Sequence, residues 1–210
     1  MCCRCHIDDS PEIREIIKRA EQSPLRMKMI DKLARPLVTS GDIAPSNIVP
    51  VIATGKNKSA AVFPMVWGFS MGENRKPIIN ARVETADEKK MFSNSWKQRR
   101  CVLPVTYYYE WEHITFPDGA TRTGDKYMFQ SEGQIITYLA GLYRIETKGE
   151  LKYPTFTVLT QEATDAVKEI HSRMPVILSR EMVRLWVNPD NDPAPLVKDS
   201  MMEVYFEKVI

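Results

Sequence analysis

The chain has 210 residues, 43% hydrophobic and 27% charged, with 29 Lys+Arg against 27 Asp+Glu and a net charge of +2. That length supports one large domain with a sizeable core, and no run of about eighteen apolar residues is present, so no membrane span is expected. Arg4, His6, Asp8 and Asp9 break up the N-terminus, so no signal peptide is expected, and a reducing cytoplasm or nucleoid, where structural disulfides are not expected, is the expected setting.

The first element is the opening "MCCRCH", with three cysteines in five residues. Cys2, Cys3, Cys5 and His6 have the flavour of a zinc ligand set. A structural zinc site normally needs a second ligand pair, however, and the remaining Cys101, His113 and His171 stand apart from one another. The other reading is a terminal nucleophile. Removal of Met1 would leave Cys2 with an α-amine near pKa ~8 and a thiol near ~8.5, both partly nucleophilic at neutral pH. Two such groups on one residue can close a five-membered ring on a single aldehyde carbon.

Ser10-Pro11-Glu12 reads as a capped helix start, and Ile13, Ile16, Ile17 and Ala20 place an amphipathic helix over 11–22. "RPLVTSGDIAPSNIVPVIA" (35–53) carries Pro36, Gly41, Pro45 and Pro50 and predicts a loop feeding a short edge strand. Apolar and β-branched runs predict strands at 60–67, 100–111, 126–130, 135–143 and 154–160. Short helices are expected near 85–92, at 161–170 with Thr160 as N-cap and Glu162 in its first turn, and at 179–187. Strands outnumber helices without regular alternation. The expected fold is α+β, a single domain over 1–210 with a largely antiparallel, barrel-like sheet flanked by short helices.

Three internal segments carry polar groups where apolar ones would be ordinary. In "PIINARVET" (77–85), Asn80 and Arg82 share one face of a strand end, where an amide can orient a carbonyl and an arginine fork suits a phosphate. A capping asparagine beside a surface arginine is the competing account. In "RRCVLPVTYYYEW" (99–111), Glu110 lies between Tyr109 and Trp111, where a raised pKa would suit proton transfer. Pairing with Arg99 or Arg100 is the structural alternative. In "EIHSRMPVIL" (169–178), His171 suits general acid chemistry or a helix C-terminus, and Arg173 suits a phosphate or carboxylate. Lys97, Arg99 and Arg100 either extend a basic groove or form a solvated face.

Cys2 after the initiator, then "NIVP", "VWGF", "NARVET", "RRCVLPVTYYYEW" and "IHSRMPVIL" in that order, resemble the SRAP family, the SOS response-associated peptidase domain proteins. The resemblance runs from residue 2 to about 187, leaving 188–210 as an extension. It implies a protein that recognises abasic sites in single-stranded DNA and crosslinks to them, the Cys2 amine forming a Schiff base and its thiol closing a thiazolidine. By motif, the resemblance gives Asn80, Glu110 and His171 catalytic roles beside Cys2. It gives Arg4, Arg82 and Arg173 DNA contacts, makes Trp67 a base-stacking residue and sets Thr160 near the site. No metal or cofactor is implied, and a monomer acting on single-stranded DNA away from membranes is expected. Cys3 and Cys5 stand where the family usually has a glycine and an aromatic residue. A Cys2-dependent peptidase or amidohydrolase is the alternative function.

Overall fold

The computed structural model describes residues 3–72, 74–116 and 118–209. In chain order the strands are β1 (Arg4–Ile7), β2 (Gly41–Ile43), β3 (Ile48–Thr54), β4 (Ala60–Trp67), β5 (Asn80–Arg82), β6 (Arg100–Val105), β7 (Tyr107–Thr115), β8 (Thr121–Ser131), β9 (Thr137–Lys148), β10 (Leu151–Glu162), β11 (Arg173–Pro175), β12 (Ile177–Leu178) and β13 (Val204–Lys208). The helices are α1 (Pro11–Glu21), α2 (Leu25–Leu33), α3 (Ser93–Gln98), α4 (Asp165–Lys168), α5 (Met182–Val187) and α6 (Pro193–Lys198). Among the described residues no helix is long and apolar enough to cross a membrane.

The expected α+β, barrel-like architecture is present. Strand β10 runs parallel to β4, β4 pairs with β3, β3 with β6, β6 with β9, and β9 returns to β10, closing a five-stranded barrel. Closure removes the open edges that would otherwise invite pairing with another chain. Gly141 in β9 marks a close strand approach: a Cβ there would lie 2.7 Å from the Thr157 carbonyl oxygen and 3.2 Å from Cys101 Sγ. A second sheet, in the order β13-β8-β7-β1-β2, is antiparallel throughout. Its inward side chains Cys5, Ile7, Tyr108 and Phe129 join the barrel residues in one hydrophobic core. Thr106 is the joint between the two sheets. Its amide donates to His6 O at 2.9 Å, its hydroxyl accepts from Asp8 N at 2.8 Å, and its carbonyl accepts from Thr137 Oγ1 at 3.0 Å.

The helix predicted at 11–22 is α1, and the Ser10 hydroxyl accepts from Ile13 N as its cap. Several boundaries differ. The segment expected to be an edge strand is β3, which has a partner on each side. Pro50 fits there because it faces Pro64, and the β6 pairing falls beyond it at Ile52 and Ala53. The predicted run 100–111 is two strands in different sheets. The helix expected near 85–92 gives way to turns, followed by α3. The helix expected from Thr160 starts only at Asp165, with Thr164 as N-cap. Residues Thr160, Gln161 and Glu162 instead pair with Pro175, Met174 and Arg173, and this tertiary pairing overrides local helix propensity. The C-terminal stretch completes the second sheet as β13.

Arg100, expected near Glu110 or in a basic groove, is instead 1% exposed and serves the fold. Its Nε donates to Trp186 O at 2.6 Å, Nη1 to Trp96 O and Lys97 O at 2.8 and 3.0 Å, and Nη2 to Asn188 O and Asn191 O at 2.5 and 2.9 Å. The guanidinium thereby satisfies carbonyls at the ends of α3 and α5. Arg100→Met would strand these acceptors, so urea unfolding is expected to show a loss of about 3–5 kcal/mol, only partly recovered in Arg100→Lys. A loss under about 1 kcal/mol would contradict this role.

Candidate functional site

Strand β1 is four residues long and is held on both edges. On one side Arg4, Cys5 and His6 face Tyr109, Tyr108 and Tyr107; on the other Cys5, His6 and Ile7 face Ile43, Asp42 and Gly41. Alternation turns Cys5 into the core, where it is 0% exposed, and His6 to the other face. His6 Nδ1 lies 2.7 Å from Asp42 Oδ1 and Nε2 3.1 Å from Asp8 Oδ1, while the ring stacks flat on Tyr107 at 4.7 Å. Cys5 and His6 therefore cannot converge on one zinc ion. Among the described residues no group of three or more His, Cys, Asp or Glu is arranged to hold a metal. Cys2 lies outside the described residues.

The register facing Arg4 with Tyr109 makes Glu110 the next residue along β7. Glu110 is 2% exposed, and burial pushes its carboxyl up from 4.5 to about 7. Beyond it a bulge between Trp111 and His113 re-aims the strand. The His113 amide then donates to Ile170 O at 3.0 Å, and its ring lies 4.4 Å from that of His171. His171 is 3% exposed, and burial first, then the positive chain N-terminus and to a smaller extent His113, lower its pKa from 6.5 to about 4 against the opposing pull of the Arg173 main chain. The Arg173 main-chain amide donates to His171 Nδ1 at 3.0 Å. The Arg173 carbonyl oxygen lies at the same 3.0 Å from Nδ1, so the Arg173 main chain holds the ring by this nitrogen in either tautomer.

From His171 the chain enters β11, which pairs with β10 at Glu162, Gln161 and Thr160; β10 in turn pairs with β5, setting Thr160 opposite Arg82 and Val158 opposite Asn80. Arg4, Glu110, His171, Arg173, Thr160, Arg82 and Asn80 thus lie along a continuous path through adjoining strands. Arg4 and Arg82 are exposed and Asn80 is half-buried. Arg173 is engaged within the protein. It bonds both Glu84 carboxylate oxygens at 2.6 and 2.8 Å and donates to Thr160 O at 2.7 Å, and this partner holds the Glu84 carboxyl below its usual range. Thr160 is buried, its hydroxyl 3.5 Å from Ala81 O.

Trp67 does not face solvent. It is 0% exposed, donates from Nε1 to Ile79 O at 3.1 Å and stacks on Phe156. The base-stacking role expected of it is therefore replaced by a supporting one, holding the segment that leads into Asn80. The Tyr109 hydroxyl donates to Asp42 Oδ1 at 3.3 Å, and neither this contact nor the placement of His113 carried a local signal in the sequence, since each partner is remote along the chain.

A family model described as SOS response associated peptidase (SRAP) matches residues 1–209. The Bacillus subtilis abasic site processing protein YoaM is 33% identical over 160 residues, covering 72% of this chain and 67% of that protein. The Escherichia coli abasic site processing protein YedK is 27% identical over 154 residues, covering 71% and 64%. A crystal structure of a Bacteroides thetaiotaomicron protein has the same fold, with a TM-score of 0.74, 21% identity, and coverage of 100% of this chain and 92% of that one.

Glu110 and His171 shift in opposite directions, which predicts opposing slopes in stability against pH. The folded state holds the Glu110 proton longer than the unfolded chain, so this group's contribution falls as pH rises from about 4.5 to 7. His171 is protonated more readily in the unfolded chain, so its contribution rises from about pH 4 to 6.5. In wild type the slopes largely cancel. Glu110→Gln should gain on the order of 2 kcal/mol of stability across that window, and His171→Gln should lose a similar amount. Urea unfolding at several pH values checks both; a variant with the same slope as wild type would show that its group is not shifted.

Proposed function

The chain belongs to the SOS response associated peptidase (SRAP) family, and from that premise we propose that it is an abasic-site processing protein that crosslinks itself to single-stranded DNA through Cys2. The names of its relatives and the order of its motifs support the substrate. The observation that carries the chemistry is Glu110, a buried carboxyl poised near neutral pH beside the strand that begins two residues after Cys2.

Removal of Met1 frees the Cys2 amine. That amine adds to the C1′ aldehyde of the ring-opened abasic sugar, and loss of water gives the Schiff base. The Cys2 sulfur then adds to the imine carbon while a proton moves to nitrogen, closing the thiazolidine with one water released overall. Glu110 is half-ionised near pH 7. As carboxylate it takes a proton from the adding amine, and as carboxylic acid it gives one to the departing hydroxyl. Neutral His171, held at Nδ1 by the Arg173 main chain, turns Nε2 toward the sugar and favours ring opening. The Asn80 amide orients the carbonyl, and exposed Arg4 and Arg82 meet the flanking phosphates. Arg173 and Thr160 brace the β10–β11 corner on which His171 is mounted.

Intact mass spectrometry after incubation with an abasic single-stranded oligonucleotide tests this. A gain equal to the oligonucleotide minus one water is expected, absent with an intact oligonucleotide and absent in Cys2→Ala. Mature protein lacking Met1 that gives no adduct would overturn the reading, and turnover of a peptide substrate by the same protein would favour a Cys2-dependent hydrolase instead.

A further inference from the structure

His113 has no place in the chemistry above, yet two independent contacts tie it to His171. Its main-chain N–H donates to Ile170 O at 3.0 Å, which fastens β7 to the residue before His171. Its ring packs at 4.4 Å and 59° against the His171 ring. His113 is exposed whereas His171 is buried, so the His113 ring is cover placed between that imidazole and water. On its other side His171 meets the main chain of Arg173, whose own guanidinium is clamped by Glu84. No other side-chain ring among the described residues is in stacking contact with His171.

We propose that His113 is a positioning residue for His171, its ring shielding that imidazole from water and its backbone fixing the turn that carries it. The inference rests on the catalytic reading of His171 for its consequence and on the geometry alone for its existence. With the cover in place, His171 stays neutral near pH 7. Without it, water reaches the ring and the burial that disfavours its charged form is relieved; the smaller adverse effect of the neighbouring imidazole disappears, while that of the chain's N-terminal amine stays.

The test is an NMR titration of 15N-histidine-labelled protein, with the His171 signal assigned from His171→Gln. His113→Ala should raise the His171 midpoint by about one pH unit or more. His113→Phe keeps a ring over His171 but removes the second imidazole, and should give a smaller rise. Because His113 is exposed, thermal melting should change little in either variant. In single-turnover crosslinking, His113→Ala should lower the rate at saturating abasic oligonucleotide by roughly tenfold, leaving half-saturation unchanged. A His171 midpoint that stays within about 0.2 unit in both variants would overturn the inference, whatever the crosslinking result. Wild-type protein that forms no adduct would overturn the proposed function instead, while the titration would still decide the role of His113.

Discussion

The pairing of β1 with β7 is the constraint on which the site depends. Three residues, Arg4, Cys5 and His6, meet Tyr109, Tyr108 and Tyr107 in antiparallel register. A slip of one residue would drive the Arg4 and His6 side chains into the core and put Cys5 in water. The chain guards against this slip from several sides. Cys5 is packed against the barrel, His6 is held between Asp8 and Asp42 and stacked on Tyr107, and the Thr106 amide bonds the His6 carbonyl. Each bond at this partly exposed strand is worth little alone. Together they order a terminal strand that would otherwise fray, and they do so immediately after the proposed nucleophile.

The second constraint is electrostatic. A carboxyl and an imidazole are buried along one path of strands, and burial disfavours the charged form of each. Their titrations move in opposite directions, Glu110 upward to about 7 and His171 downward to about 4. Between these values both groups are largely neutral, which limits the cost of hiding them. Glu110 also sits at the edge of its transition near neutral pH, the condition under which a group can both give and accept a proton. The charged residues nearby are treated differently. Arg173 is neutralised by Glu84, while Arg4 and Arg82 remain exposed and able to meet phosphate.

Much of the architecture was legible because local signals agreed with the fold. Ser10-Pro11 marks α1, and the apolar and β-branched runs coincide with strands of the two sheets. The failures share a physical cause, namely contacts between residues distant in sequence. Pro50 marks an edge strand by local rules, but it faces Pro64 on the adjoining strand β4, where no donor is needed from it. Thr160 looks like a helix cap until β11 arrives to pair with it. Arg100 reads as surface charge, although the ends of two helices converge on it. Trp67 was assigned to DNA through the family resemblance and is instead buried against Phe156. His113 looked isolated because its partner arrives from a separate segment. Asn80, Glu110 and His171 stood out in the sequence as polar groups in apolar patterns, and the fold strings them along adjoining strands.

The central claim is that the strand register delivers the Cys2 amine to Glu110. The most direct test is a crystal structure of the mature protein joined to abasic single-stranded DNA. The account predicts a thiazolidine built on Cys2, its ring nitrogen within hydrogen-bond reach of the Glu110 carboxyl, and His171 Nε2 turned toward the opened sugar. An adduct carried by a lysine, or a thiazolidine lying away from a Glu110 that stays sealed in the core, would contradict it.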